Sequence, residues 1–142
     1  AKAAGVDGLI VVDLPPEEDG ELRAVAEDNG IDMIRLVTPT TVGERLDTVV
    51  NGASGFLYYV SITGVTGTAK ADLGALKPHI EQIKSKTDIP VAIGFGIKTP
   101  EDVKAMAAIG DAVVVGSAIV DKVKDGDEAK VHTFVSSLSA AL

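Results

Sequence analysis

Short apolar runs recur along the chain, separated by longer stretches in which apolar and polar residues repeat with a helical period. The apolar runs are rich in Val, Ile, Leu and aromatic residues and occupy positions 9–12, 33–37, 56–60, 91–93 and 112–115. Such runs, without strict alternation, are typical of buried strands in a parallel sheet. The amphipathic stretches predict helices over positions 17–28, 42–50, 73–85, 101–108 and 128–142. This order of strand and helix predicts an α/β fold with right-handed crossovers.

Turn and cap residues separate the predicted strands and helices. A glycine stands between a predicted helix and the next strand at four places, which are Gly5, Gly30, Gly52 and Gly110. We expect each of them to adopt the left-handed conformation that ends a helix. Thr41 and Thr99 are each followed three residues later by an acid. This spacing predicts a capping box at the start of two helices.

The spacing of these units suggests part of a barrel. Strand starts recur every 20 to 35 residues or so, and eight such units would need about 250 residues, the usual size of a (β/α)8 barrel. Residues 1–142 are therefore expected to form a single domain, the C-terminal five-eighths or so of such a barrel. The opening helix, which Gly5 should end, is truncated, and the chain has no initiator Met. An open five-stranded sheet of the flavodoxin type is the alternative.

Composition excludes several classes of function. Thirteen Lys and Arg face 21 Asp and Glu, giving a net charge of −8, and no basic cluster occurs, which argues against a nucleic-acid partner. The absence of cysteine removes disulfides, thiolate catalysis and Cys-based zinc sites. No run approaches the roughly 18 apolar residues of a membrane span. We therefore expect a cytoplasmic protein with no membrane partner.

Glycines at the ends of two consecutive predicted strands form the sharpest candidate site. Gly94 and Gly96 follow the fourth strand, while Gly116 and Ser117 follow the fifth and precede a short apolar helical stretch. Loops of this kind, with the start of a small helix, bind phosphate in (β/α)8 barrels through backbone N–H groups. An acidic protein could bind an anionic ester in this way without an arginine. The alternative is that these glycines only permit tight turns.

The other strand ends are less specific. The loop over positions 61–70 is rich in Gly, Thr and Ser, which suits either a mobile lid or a flexible connector. On the strand before it, Tyr58 and Tyr59 should face opposite sides of the sheet, and either could be only a core residue. Asp13 ends the first strand, where it could position a ligand or only cap its loop. We interpret His79 and His132 as surface or packing residues.

Taken together, these segments resemble the tryptophan synthase alpha subunit. The resemblance is ordered, spans essentially the whole chain and rests on GVDGLIVVDLPPEE at 5–18, YYVSITGVTG at 58–67, GFGI at 94–97 and GSAIV at 116–120. It implies a (β/α)8 barrel, represented here from the end of the third helix through the eighth unit. The implied reaction is the retro-aldol cleavage of indole-3-glycerol phosphate to indole and glyceraldehyde 3-phosphate. It needs no cofactor, and a beta subunit is the implied partner.

The resemblance also implies roles for individual residues. The substrate phosphate would be bound through backbone groups of Gly67, Gly96, Gly116 and Ser117. Tyr58 would line the indole pocket beside the catalytic acid, and Thr66 would help to close the lid. Asp13 would contribute to the subunit interface or to the order of the active site.

The catalytic acids are expected elsewhere. Cleavage needs one carboxylate to move the proton at C3 of the indole and a second to stabilise positive charge at the indole nitrogen. The resemblance implies that both precede Ala1, in the N-terminal half of the barrel, so we expect no catalytic residue within this chain. Two alternatives stay open. One is a half-barrel that binds phosphate esters without activity, and the other is a different phosphate-binding barrel enzyme, such as those of histidine or prenyl-glyceryl-phosphate biosynthesis.

Overall fold

The computed structural model describes residues 1–61, 73–94, 96–124 and 126–142. Within these ranges the strands are β1 (Gly8–Ile10), β2 (Asp32–Val37), β3 (Leu57–Val60), β4 (Val91–Gly94) and β5 (Ala112–Val114). The helices are α1 (Gly20–Asp28), α2 (Glu44–Val50), α3 (Leu73–Lys84), α4 (Pro100–Ala107), α5 (Ser117–Val123) and α6 (Glu128–Ser139), after a short 3₁₀ turn at Lys2–Ala4.

All five strands run parallel and lie in the order β1-β2-β3-β4-β5. The register aligns Ile10 with Ile34 at one edge and Gly94 with Val114 near the other. A flavodoxin-type sheet changes direction within its strand order, whereas this sheet proceeds in sequence, as the strands of a barrel do. The predicted α/β fold is therefore confirmed, and the doubly wound alternative is wrong.

The two faces of the sheet differ in how they are covered. One face packs against the helices and is buried at Met33, Val37, Leu57, Tyr59, Val91 and Ile93. The main core forms where these residues meet α2, α3 and α4, chiefly through Leu46, Val49, Leu76, Ile80, Ile83, Val103 and Met106. The opposite face is only half-buried at Ile34, Leu36, Tyr58 and Val60. This second face corresponds to the side-chain layers that fill a barrel interior.

The first unit differs most from the sequence prediction. β1 ends at Ile10 rather than at position 12, and Val12 is 72% exposed. The prediction assumed a strand buried within a parallel sheet, whereas β1 lies at the end of the described strand order and pairs with β2. α1 begins at Gly20 rather than at position 17, because the preceding residues form a turn in which Glu18 N–H donates to the Pro15 carbonyl (3.0 Å).

Three of the four predicted cap glycines adopt the left-handed conformation. The φ angles of Gly5, Gly30 and Gly52 are 87°, 63° and 89°. Gly110 is not among the glycines with positive φ, so that prediction was wrong. A Cβ at Gly110 would lie 2.8 Å from Ile93 Cδ1, so lack of space is the reason for glycine at this position.

One of the two predicted capping boxes forms. The Thr99 side chain accepts a hydrogen bond from Asp102 N–H (3.2 Å), and Asp102 Oδ2 accepts one from Thr99 N–H (3.0 Å). Thr41 does not cap α2, whose N-cap is Gly43, so that prediction was wrong. The Thr41 hydroxyl instead accepts a hydrogen bond from Thr38 N–H (3.1 Å) and stabilises the loop before the helix.

Candidate anion-binding site

The two predicted glycine loops begin side by side. Gly94 pairs with Val114, so the chain leaves β4 and β5 at the same carboxyl edge of the sheet. Gly96 has a φ of 75°, a left-handed conformation that favours glycine. Gly116 is exposed, and a Cβ placed there would meet no atom within 4 Å. The structure thus brings Gly96 and Gly116 to one edge, with open space beside Gly116.

Backbone donors without a helix acceptor border this space at the start of α5. Gly116 is the N-cap, and the first hydrogen bond of the helix runs from Ile119 N–H to the Gly116 carbonyl (2.9 Å). The N–H groups of Ser117 and Ala118 therefore have no acceptor within the helix, and they lie at its positive end. This is the short helix that the sequence predicts after Gly116. Its geometry suits a bound anion.

Tyr58 reaches the same edge from the neighbouring strand. Its side chain lies on the half-buried face, whereas Tyr59 is fully buried against the helices. A Cβ at Gly94 would lie 2.2 Å from the Tyr58 hydroxyl oxygen, so that oxygen occupies the space beside Gly94. The prediction that the two tyrosines face opposite sides is confirmed, and it is Tyr58 that lies near the glycine loops.

The loop after β4 is anchored on both sides. Before it, the Gly94 carbonyl accepts hydrogen bonds from Ser61 N–H (3.2 Å) and Ser61 Oγ (3.1 Å). After it, Asp102 Oδ2 accepts from the N–H groups of Lys98 and Thr99 (both 3.0 Å). Sequence reasoning identified the Asp102 cap but not the contribution of Ser61, since a serine at a strand end carries no distinctive signal.

One predicted site residue lies elsewhere, and two are not described. Thr66 and Gly67 are outside the described residues. Asp13 is exposed in the turn after β1, and β2 and β3 separate it from the glycine loops. It lines a cavity of about 320 Å³ together with Arg45 and Thr38. The structure therefore does not bring Asp13 together with Gly96, Gly116 and Ser117.

A buried charge cluster between β2 and the helices was missed by sequence reasoning. Arg35 donates through Nε (3.0 Å) and Nη2 to Asp19 Oδ2. Its Nη1 also donates to three carbonyl oxygens at the end of α2, those of Thr48, Val49 and Asn51 (3.1, 3.0 and 2.6 Å). Arg23 Nε lies 3.3 Å from Asp19 Oδ1. The available signal was an arginine within an apolar run, which requires a buried partner.

His79 connects three parts of the core. Its Nε2 lies 3.1 Å from the Thr41 carbonyl oxygen, and its Nδ1 lies 2.9 Å from the Tyr59 hydroxyl. Because a carbonyl only accepts, Nε2 donates the hydrogen bond to Thr41. Burial raises the pKa of the Tyr59 hydroxyl above its usual value. These contacts agree with the packing role expected for His79.

Two kinds of feature are absent from the described ranges. No group of three or more His, Cys, Asp or Glu residues in them is arranged to hold a metal ion. None of their helices is both long and apolar enough to cross a membrane.

Comparison with known proteins assigns the family. The sequence model of the tryptophan synthase alpha chain family matches residues 1–140. The tryptophan synthase alpha chain of Legionella pneumophila is 37% identical and superposes with a TM-score of 0.82, the match covering 99% of this chain and 53% of the other. The alpha subunit of Campylobacter jejuni is 36% identical with a TM-score of 0.88, over 97% and 56% of the two chains.

A tryptophan synthase complex from Pyrococcus furiosus gives a similar result. It is 32% identical with a TM-score of 0.80, over 99% of this chain and 57% of that one. The chain therefore spans about half the length of these relatives, and its five-stranded sheet corresponds to part of their fold. Since the family model covers almost every residue, the chain belongs to the tryptophan synthase alpha chain family.

Proposed function

We propose that the protein acts in the retro-aldol cleavage of indole-3-glycerol phosphate to indole and glyceraldehyde 3-phosphate, and that these 142 residues supply the phosphate-binding half of the site. Family membership supports the reaction. The observation that carries the assignment of the phosphate site is the adjacent position of the two glycine loops, at Gly94–Gly96 and Gly116–Ser117, on one edge of the sheet.

A backbone site explains how a chain with a net charge of −8 could bind an anion. The N–H groups of Ser117 and Ala118 lie at the positive end of α5, and the open space beside Gly116 admits a ligand. In the proposed complex these groups, with Gly96, donate to the phosphate oxygens. Gly67 adds a further donor, and Thr66 closes the loop over the bound ester.

The proposed indole pocket lies beside the phosphate site. Tyr58 projects from the half-buried face, and its hydroxyl is next to Gly94 at the carboxyl edge. An aromatic side chain there can pack against the indole ring while the glycine loops hold the phosphate. Asp13 lies away from this pocket, so its proposed contribution is to the subunit interface.

The proton-transfer groups come from outside these residues in our proposal. Cleavage requires one carboxylate that moves the proton at C3 and a second that stabilises the indolium nitrogen. We assign both to the half of the family barrel that these residues do not represent, and we assign a tryptophan synthase beta subunit as the partner that receives indole. The proposed location is the cytoplasm, and the cleavage itself uses no cofactor.

Indole release from indole-3-glycerol phosphate tests this function. The chain is assayed alone and mixed with a separately produced N-terminal barrel half from the Legionella pneumophila relative. We expect activity only in the mixture, because only the mixture contains both the carboxylates and the phosphate site. Activity of the chain alone would contradict the placement of the carboxylates. Phosphate binding without activity in the mixture would favour a binding module.

A matched pair of proline variants tests the phosphate site itself. Ser117→Pro removes one N–H donor at the first residue of α5, a helix position that tolerates proline. Glu128→Pro makes the same change at the first residue of α6, away from the glycine loops. In the active mixture we expect Ser117→Pro to raise KM by about tenfold, the value of one hydrogen bond to a charged group. Glu128→Pro should leave KM unchanged.

A further inference from the structure

Ser61 is a buried polar residue at the carboxyl end of β3, and its two donors converge on one acceptor. Its side chain is 1% exposed. The ladder between β3 and β4 ends at the pair Val60 and Gly94. Beyond it, both Ser61 N–H (3.2 Å) and Ser61 Oγ (3.1 Å) donate to the Gly94 carbonyl oxygen. That oxygen has two lone pairs, so the two bonds occupy both of them.

These bonds fix the point from which the glycine loop starts. The peptide unit is planar, so an oxygen held by two hydrogen bonds limits rotation of the peptide that follows Gly94. The Tyr58 hydroxyl fills the space beside Gly94 and prevents the residue from moving that way. Gly96, two residues later, is in the left-handed conformation. Movement of Gly94 would therefore displace Gly96, which is proposed to bind the phosphate.

We propose that Ser61 is a positioning residue for anion binding at the glycine loops. It does not touch the anion. Its hydroxyl holds the Gly94 carbonyl, and the fixed carbonyl limits the positions open to Gly96 and its backbone N–H. This role rests on the proposed function, in which Gly96 binds the substrate phosphate. Pre-organisation of this kind increases affinity because the free energy of binding is not reduced by the cost of ordering the loop.

The test compares phosphate affinity across a graded series at Ser61. Ser61→Ala removes the hydroxyl donor, and Ser61→Cys keeps a side chain of similar size with a weak donor. Binding of inorganic phosphate to the protein is measured by isothermal titration calorimetry, with Tm recorded for each variant. We expect Ser61→Ala to weaken binding about five- to tenfold, the value of one hydrogen bond, and Ser61→Cys to lie between.

Ser54→Ala is the matched control. Ser54 precedes β3 at its other end, and its hydroxyl accepts a hydrogen bond from Met33 N–H (2.9 Å). This variant also removes a serine hydroxyl bonded to a neighbouring strand, but far from the glycine loops. We expect it to lower Tm about as much as Ser61→Ala while the dissociation constant for phosphate stays unchanged. A role in stability alone would move Tm in both variants and affinity in neither.

The outcomes separate the inference from the function on which it rests. Weaker binding in Ser61→Ala alone supports the positioning role. Equal affinity in Ser61→Ala and the unsubstituted protein overturns the role and leaves the anion site intact. Equal losses in Ser61→Ala and Ser54→Ala also overturn it, since they would show a general loosening. If the unsubstituted protein does not bind phosphate, the proposed function fails and the inference fails with it.

Discussion

The Arg35 cluster and the glycine loops are two polar regions of the same sheet with opposite designs. Arg35 and Asp19 are buried charged side chains, and the guanidinium group makes five hydrogen bonds to four acceptor oxygens within the protein. The loops at Gly96 and Gly116 contain few charges, yet α5 leaves N–H groups without helix acceptors at an exposed edge.

Under the proposed function, charge and binding capacity are separate properties in this fold. A guanidinium group that is already hydrogen-bonded to a carboxylate and to a helix end has little capacity left for a ligand. A loop with few charges, followed by N–H groups that have no helix acceptor, has both donors and space. We therefore propose that the Arg35 cluster stabilises the fold and that the glycine loops bind the ligand.

The largest effect is expected when the Arg35 cluster is disrupted. Arg35→Met leaves Asp19 buried with only the Arg23 contact and removes the donors to the end of α2. Removal of one partner of a buried ion pair costs about 3–5 kcal/mol. Arg45→Met is the control, because Arg45 pairs with Glu17 at an exposed site and should cost about 1 kcal/mol or less. Urea denaturation measures both values, and similar costs for the two variants would contradict the structural role of Arg35.

Gly94→Ala tests the packing beside the start of the glycine loops. Its Cβ would lie 2.2 Å from the Tyr58 hydroxyl oxygen, so the tyrosine must move. Overpacking of this kind costs about 1–3 kcal/mol. Tyr58→Ala should relieve the clash, so the double variant should lose less stability than the two single variants predict together. The control is Gly20→Ala, where nothing lies within 4 Å, and additive losses in the double variant would refute the contact.

Thr99→Ala removes the cap that holds the far end of the glycine loop. We expect the unfolding free energy to fall by about 1 kcal/mol, since Asp102 N–H loses its acceptor. Thr133→Ala serves as the control, because that hydroxyl donates within α6 to Ala129 O (2.8 Å) and caps nothing. Thermal unfolding of both variants measures the difference, and an equal shift in Tm for the two would argue against the capping box.

The smallest effect is a pH dependence from Asp111. Burial acts to raise the pKa of Asp111, but hydrogen bonds from Lys84 Nζ (2.7 Å) and Val91 N–H (2.9 Å) outweigh it and hold the pKa below its usual value. The carboxylate therefore stabilises the fold above an unfolded pKa of about 3.9, and this contribution disappears as the pH falls through the lower folded pKa.

The measurement compares Asp111→Asn with the unsubstituted protein between neutral and acidic pH. Asp111 is 43% exposed, so after screening by solvent we expect a difference of about 0.5 kcal/mol at neutral pH that shrinks in acid. Asp121→Asn, in the more exposed pair with Lys124, should show a smaller difference. A difference in unfolding free energy between Asp111→Asn and the unsubstituted protein that grows in acid would contradict the lowered pKa of Asp111.

The sequence predicted the parts of this fold that depend on local pattern. The buried strands and the helices between them repeat with clear periods, and the short helix after Gly116 follows directly from its glycine, serine and apolar residues. The left-handed Gly5, Gly30 and Gly52 likewise reflect local backbone geometry.

The features that sequence reasoning missed depend on long-range contacts. Arg35 is 16 residues from Asp19, and Ser61 is 33 residues from Gly94, so no local spacing identifies either partner. Gly110 has the same local pattern as the three left-handed glycines. A larger residue is excluded there by the side chain of Ile93, which lies on another element. The early end of β1 likewise depends on which strands pair with it.

Backbone amide chemical shifts during a titration with inorganic phosphate test the central proposal most directly. The protein is labelled with ¹⁵N, and the amide signals of Gly96, Gly116, Ser117 and Ala118 are followed. We predict that these signals shift together with one dissociation constant, while amides around Arg35 stay in place. Shifts confined to the Arg35 cluster, or no saturable shifts at the glycine loops, would contradict the assignment of the phosphate site.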